Sequence, residues 1–441
     1  MTKPSSSLVG AAKEQLVKRF LARRDQQHET SGLLRSTRNS LQIPEKFCRF
    51  DKLPGYEKII LPKVAAEKLG IENPFFKSHD GIADATTVIN GKPYINFSSY
   101  NYLGLSGDPR VNEAAKAAID RYGTSASASR LVAGERPIQR ELEASIAGLY
   151  EVDDCIVFVS GHATNVTCIA TLFGPKDLIL HDSLIHNSVF EGIKLSGATR
   201  RAFNHNDPDS LEGILGEIRG NFERTLIVIE GLYSMDGDIP DLPRFVDIKQ
   251  RFKAFLMVDE AHSLGVLGST GRGIREHYDL AGSAVDIWMG TLSKAFAGCG
   301  GFIAGEKALV EHLKYAAPGF VYSVGIAPPI AAASLEAIRI MLAEPQRVAG
   351  LLDRASYFLT QARKQGIDTG LSQGYAVIPS IVGSSLKATK LSQYLFENGV
   401  NVQPIIHPAV EERAARLRFF VSHTHTTRQI DTVVALLADR Q

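Results

Sequence analysis

Lys294 lies in Thr291-Leu-Ser-Lys-Ala-Phe-Ala-Gly298, a short loop between two apolar runs, Ile287–Gly290 and Cys299–Ala304, that read as buried strands. A lysine held between such strands loses hydration, which disfavours the ammonium form and lowers its pKa. The neutral amine attacks carbonyls, and lysines activated this way form Schiff bases with carbonyl substrates or with pyridoxal phosphate (PLP). The Thr291 and Ser293 hydroxyls and the nearby glycines suit the phosphate of the latter. Taken alone, a loop lysine is ordinarily a strand cap at the surface, so its neighbours decide.

Those neighbours follow other apolar runs. Ser160-Gly161-His162 comes after Cys155–Val159 and opens a helix whose first amides suit an anion. His186 comes after Leu178–Leu180, and Glu230, with Ser234 four residues on, after Leu226–Ile229. Asp259 leaves the run ending at Val258, and His262 stands three residues further. A PLP site needs a lysine and an acid that keeps the pyridine nitrogen protonated, which Asp259 would supply. His262 is close enough in sequence to reach the ring's phenolic oxygen, and His186 is suited to lie over the ring. Each has an ordinary structural use, Asp259 as a helix cap and the histidines as satisfied core residues. Their convergence on Lys294 is what points to chemistry.

The elements that must position them alternate. Apolar runs with polar exits are followed by helical patterns over Gly161–Leu172 and Asn187–Leu195, which predicts a mainly parallel sheet covered on both faces. Ligands then bind beyond the carboxyl ends of the strands, where these residues stand. Upstream, Thr86–Phe97 reads as two strands about an Asn90-Gly91 turn. Helices follow over 109–122 and 137–150, separated by the small-residue loop Gly123–Gly134. Beyond Pro328-Pro329 the pattern is helical to about Gln365, then strands at Ala376–Val382, Val400–Ile406 and Leu417–Ser422 with helices at Lys387–Asn398 and Thr427–Ala438. This is a smaller α/β domain, joined in space by the segment near residue 86. The expected divisions are 1–85, a basic arm and linker; 86–330, a large PLP-binding domain; and 331–441, a small C-terminal domain.

Composition sets the class. The chain has 441 residues, 44% hydrophobic and 22% charged, with a net charge of +1, which gives no case for nucleic acid. No run of apolar residues spans a bilayer, so no stable membrane insertion is expected. The four cysteines lack metal-site spacing, and a reduced cytoplasmic enzyme is the simplest class. Residues 1–50 hold ten Lys/Arg against four Asp/Glu, and Ala11–Arg24 has the pattern of an amphipathic helix. Gln26–Pro44 reads as a linker.

From about residue 90 to 440 the chain resembles the α-oxoamine synthase family of fold-type I PLP enzymes. The blocks that carry the resemblance are Asn101–Ser106, Ser129–Gly134, His205–Asp207, Glu230–Asp238, Val258–Gly265, Gly271–Gly273, Thr291–Lys294 and Ala415–Arg418. The resemblance implies an α/β fold with a large, mainly parallel seven-stranded sheet domain and a smaller C-terminal domain. It also implies decarboxylative condensation of an α-amino acid with an acyl thioester to an α-amino ketone; an aminotransferase of the same fold is the rival. By the same resemblance Lys294 is the Schiff-base lysine, with Asp259, His262 and His186 on the cofactor ring. Ser160, Gly161, His162 and Thr291 would surround the phosphate, and Glu230 and Ser234 would line the pocket. Arg418, with Tyr100 and Asn101, would hold the substrate carboxylate. Tyr322-Ser323 would reach the neighbouring subunit's phosphate, making a homodimer with shared sites. Tyr100, His162, Gln139 and Val324 depart from the usual residues of the family. The stretch Val402–Arg418 is similar to versions associated with polyketide synthases, where a carrier protein can replace coenzyme A as acyl donor, and the basic arm would suit an acidic carrier.

Overall fold

The computed structural model describes residues 43–68 and 70–440. The helix expected over Ala11–Arg24 and nearly all of the Gln26–Pro44 linker lie outside them. The chain divides into two units, one up to Gly70 and one from Ile71 onward. The first contains the helix Pro54–Lys68 and exposes Ile43, Phe47, Phe50, Ile59 and Leu61. No helix among the described residues is long and apolar enough to cross a membrane.

The second unit begins with His79–Asp80 (β1), Thr86–Ile89 (β2) and Lys92–Asn96 (β3). The β2–β3 turn places Asn90 and Gly91 at φ 51° and 74°, the left-handed pair that suits a two-residue hairpin. Helix Pro109–Tyr122 then starts at Asp108, whose carboxylate accepts from the Arg110 amide.

The central sheet comprises Asp154–Phe158 (β4), Leu178–Asp182 (β5), Thr199–Phe203 (β6), Thr225–Glu230 (β7), Phe255–Asp259 (β8), Ile287–Thr291 (β9) and Gly301–Gly305 (β10). Its order is β4-β10-β9-β8-β7-β5-β6. Only β10 runs antiparallel to its neighbours. Alternation along each strand divides the apolar residues between two cores: Ile227, Ile229, Val258, Trp288 and Phe302 face one, Val228, Met257, Met289 and Ile303 the other. Helices cover both, which is why these strands are continuous apolar runs. The edge strand β6 has no such run, since Arg200, Arg201 and Ala202 are exposed.

The C-terminal part carries Val377–Ile381 (β11), Val400–Asn401 (β12), Pro404–Ile405 (β13) and Arg416–Phe420 (β14). β11, β14 and β13 form an antiparallel sheet, whereas β12 adds in parallel to β3. The single strand expected over Val400–Ile406 is thus two, serving different sheets. Pro404, which cannot donate a ladder hydrogen bond, stands at the break.

Candidate active site

Strand register brings the polar exits into one row. Glu230 pairs with Asp259 across β7 and β8, and Asp259 with Met289 across β8 and β9. β9 and β10 form a hairpin with Thr291 opposite Gly301, so the loop carrying Lys294 emerges at the same edge. That loop is closed by Thr291 Oγ1 donating to the Gly300 carbonyl at 2.8 Å and Leu292 N donating to it at 3.0 Å. Lys294 is half-buried, and its Nζ has neither hydrogen bond nor ion pair among the described residues. Loss of hydration lowers its pKa to about 8, with Arg418 adding to the effect and Asp259 and Glu230 opposing it. Its Nζ lies 5.5 Å from the Tyr100 ring centroid.

Asp259 is buried. Its Oδ1 accepts from Ala261 N at 3.0 Å and its Oδ2 from Asn165 Nδ2 at 2.9 Å. Glu230 Oε2 accepts from Ser234 N at 3.0 Å, while Oε1 is buried with no partner among the described residues. Burial, then the Asp259 charge, pushes the Glu230 carboxyl up to about 8. His186 caps helix Asn187–Ser196 and keeps an open face; withdrawal of the rest of the ring from water lowers its pKa. His262 is buried, with Tyr102 Oη 2.7 Å from its Nδ1. Burial, then Lys294 and Arg418, holds it neutral. With the phenol as donor, the one ring proton of neutral His262 sits on Nε2. Arg418 donates through Nη1 to the Ser234 carbonyl at 2.9 Å and stacks 4.6 Å from the Phe420 ring centre, leaving Nε buried without a partner among the described residues.

Close packing defines the other end of the crevice. Ser160 caps helix Gly161–Leu172. A Cβ on Gly161 would come 2.9 Å from Thr291 Oγ1, and one on Gly301 would come 2.6 Å from Gly161 Cα. Bare backbone is required here, and among the described residues the Gly161 and His162 amides, which Ser160 does not cap, have no partner beside the Thr291 and Ser293 hydroxyls. A lysine without a partner, a buried carboxylate across the row, and this cradle fit PLP. His162 is exposed at the same helix start. Ser323 is half-buried and Tyr322 exposed, on a surface segment next to Ser129, whose hydroxyl donates to the Val321 carbonyl at 2.7 Å. Asn101 spends its amide on the Ala83 carbonyl and the Ser106 N–H, a structural use.

Three contributors were not singled out from the sequence: Asn165, Ser188 and Tyr102. A fourth feature is the anchoring of the segment after Glu230. His205 faces Asp182 at 2.9 Å through Nδ1 and Asp238 at 3.2 Å through Nε2, and these carboxylates raise its pKa to about 10 against the opposing effect of burial. Tyr233 Oη donates to Asp182, and Arg416 pairs with Asp236 at 2.6 Å.

Comparison with known proteins bears on this arrangement. A family model described as aminotransferase class I and II matches residues 92–437. An 8-amino-7-oxononanoate synthase from Fervidobacterium nodosum is 42% identical over 350 residues, 79% of this chain and 88% of that protein. The 4-hydroxy-2,2'-bipyrrole-5-methanol synthase PigH from Serratia sp. is 38% identical over 346 residues, 78% of this chain and 52% of that protein. A variant of serine palmitoyltransferase from S. paucimobilis, solved with PLP and myriocin bound, superposes with a TM-score of 0.84 at 27% identity, covering 88% of this chain and 97% of that one.

Proposed function

The chain belongs to the class I and II aminotransferase family and, within it, to the α-oxoamine synthases, and on that premise we propose how its residues divide the work of a PLP-dependent C-acyltransferase. The reaction joins an α-amino acid to an acyl thioester, releases carbon dioxide and the free thiol, and leaves an α-amino ketone. PLP, when bound, supplies an aldehyde for the amino group and a protonated ring that draws off the electron pair freed at Cα.

Lys294 would hold the cofactor covalently and, as a free amine, would take and return the proton at the amino acid's Cα. A pKa near 8 keeps a useful neutral fraction at physiological pH. Asp259, oriented by Asn165 and Ala261 N–H, keeps the ring nitrogen protonated. His262 would hold the phenolic oxygen, and His186 would face the ring. Ser160, Gly161, His162 and Thr291 receive the phosphate. Arg418, held by the Ser234 carbonyl and stacked on Phe420, turns its remaining N–H groups to the substrate carboxylate, with Tyr100 beside it. Glu230 and Ser234 form the wall behind Lys294.

A single observation carries this assignment: a lysine without a partner, its pKa lowered by burial, shares one crevice with Asp259, Glu230 and Arg418. The expected result is that PLP-loaded protein, screened with single amino acids and acyl thioesters, releases carbon dioxide and thiol in equal amounts. Release of a 2-oxo acid without thiol would overturn it in favour of amino transfer.

The enzyme acts as a homodimer, with Tyr322-Ser323 serving the neighbouring site. Its acyl donor is carried by coenzyme A or a carrier protein, the second suggested by the Val402–Arg418 stretch and the basic residues 1–50. Deleting residues 1–40 is expected to slow turnover of the carrier-bound donor alone; unchanged turnover removes that part. Free thiols at Cys48, Cys155, Cys168 and Cys299 accord with work in the cytoplasm.

A further inference from the structure

Behind the residues that face the crevice runs a buried chain of hydrogen bonds. Asn165, on helix Gly161–Leu172, is buried, and its Nδ2 lies 2.9 Å from Asp259 Oδ2 and 2.9 Å from Ser188 Oγ. Ser188 is buried too, and its Oγ lies 2.7 Å from His186 Nδ1.

Each link has a direction. An ionised carboxylate only accepts, so the Asn165 atom against Asp259 is the amide nitrogen. The second hydrogen of that nitrogen goes to Ser188 Oγ. With a lone pair so occupied, the hydroxyl is free to give its one proton to His186 Nδ1. The backbone N–H of Ser188 also points at that nitrogen, at 3.3 Å. Two donors on one ring nitrogen leave no room for a proton of its own.

We propose that Asn165 and Ser188 are positioning residues that, anchored on Asp259, hold His186 as the neutral tautomer protonated on Nε2, so that the ring turns an N–H donor toward the crevice. The proposal rests on the α-oxoamine synthase reading for its meaning in catalysis, though not for its geometry. Among the described residues Asn165 Oδ1 is buried without a partner, so no hydrogen bond there opposes a turn of the amide. The charge on Asp259 therefore sets which way the amide faces. Neutral Asp259 would release it; Oδ1 turned toward Ser188 would draw the hydroxyl proton away from His186. The acid that would meet the ring nitrogen and the imidazole that would face the ring are thereby linked through Asn165 and Ser188.

The test is 15N spectroscopy of histidine-labelled full-length protein, PLP-free and PLP-loaded, near neutral pH, with His186→Asn identifying the His186 signals. The expected wild-type result in both forms is an unprotonated Nδ1 and a protonated Nε2; a protonated Nδ1 overturns the proposal. Ser188→Ala is expected to mix the two tautomers and to lower kcat/KM about tenfold with little change in PLP affinity, and Ser188→Thr to restore both. Should Ser188→Ala lose activity with its tautomer unmoved, the serine is merely structural and the relay is overturned. A wild type with the expected tautomer but no condensation of amino acid with thioester supports the relay and counts only against the assigned reaction.

Discussion

A lysine ammonium withdrawn from water titrates near 8 where an exposed one titrates near 10.5, and the sign of that shift predicts a stability effect. The fold prefers the neutral amine, so the charged form costs stability fully below about 8 and not at all above about 10.5. In PLP-free protein Lys294→Ala is therefore expected to stabilise at neutral pH, by on the order of 1–2 kcal/mol, with the gain shrinking as pH rises. It also abolishes turnover and borohydride-fixed attachment of PLP. Thermal unfolding across pH checks the first effect, and an unchanged or lower Tm at neutral pH counts against it. Glu230 is the complementary case. An acid raised from 4.5 to about 8 contributes stability that is present below 4.5 and lost as pH rises through 8. Glu230→Gln should thus gain stability relative to wild type on going from mildly acidic to alkaline pH. Lys294, Asp259, His186 and His262 were legible in the sequence because their types carry chemistry at strand ends. Asn165, Ser188 and Tyr102 were not: an amide, a hydroxyl and a phenol are ordinary residues until the fold sets Asn165 against Asp259, 94 positions away, and Tyr102 against His262, 160 away. Asn101 shows the converse, a polar residue in a recognisable block whose side chain serves the backbone.

At the level of elements, the segment from Glu230 to Asp238 is held from two sides. Arg416 and Arg418 of β14 grip its backbone and Asp236, and the His205 pair with Asp182 and Asp238 grips its far end. Because β14 also carries the proposed carboxylate-binding arginine, loosening the segment should move Arg418. His205 is raised from 6.5 to about 10, so its contribution is complete below 6.5 and is lost as pH rises through 10. His205→Gln is expected to cost on the order of 2 kcal/mol at neutral pH, with the difference closing toward pH 10, and to raise KM for the amino acid more than it lowers kcat. Chemical unfolding at several pH values and a KM–kcat comparison check both; a pH-independent difference would refute the ion-pair account. The core strands were legible because both faces are buried and the runs are aliphatic. β6 was hidden, since an edge strand of Thr-Arg-Arg-Ala-Phe has only its last residue buried. The switch between β12 and β13 was equally invisible, because pairing partners are chosen by the whole fold.

For the whole molecule, two neighbouring segments expose apolar side chains. The Gly325 amide donates to the Ala128 carbonyl at 3.1 Å and joins two segments that expose Leu131, Val132, Tyr322 and Val324. Tyr322 and Val132 are 87% and 81% exposed. A second copy seated there would cover the patch and carry Tyr322-Ser323 to the neighbouring crevice, as proposed above. Mixing separates this from a site complete within one chain. Lys294→Ala lacks the amine, and Ser323→Glu sets a negative charge against a phosphate, so each pure protein should be nearly inactive. If Ser323 acts across the interface, a hybrid of the two has one crevice with both residues intact. Random exchange of equal amounts should then restore about a quarter of wild-type activity, half the dimers having one good site of two. If Ser323 acts within its own chain, every crevice in the mixture is defective and nothing is restored, while sedimentation reports separately whether the pair forms.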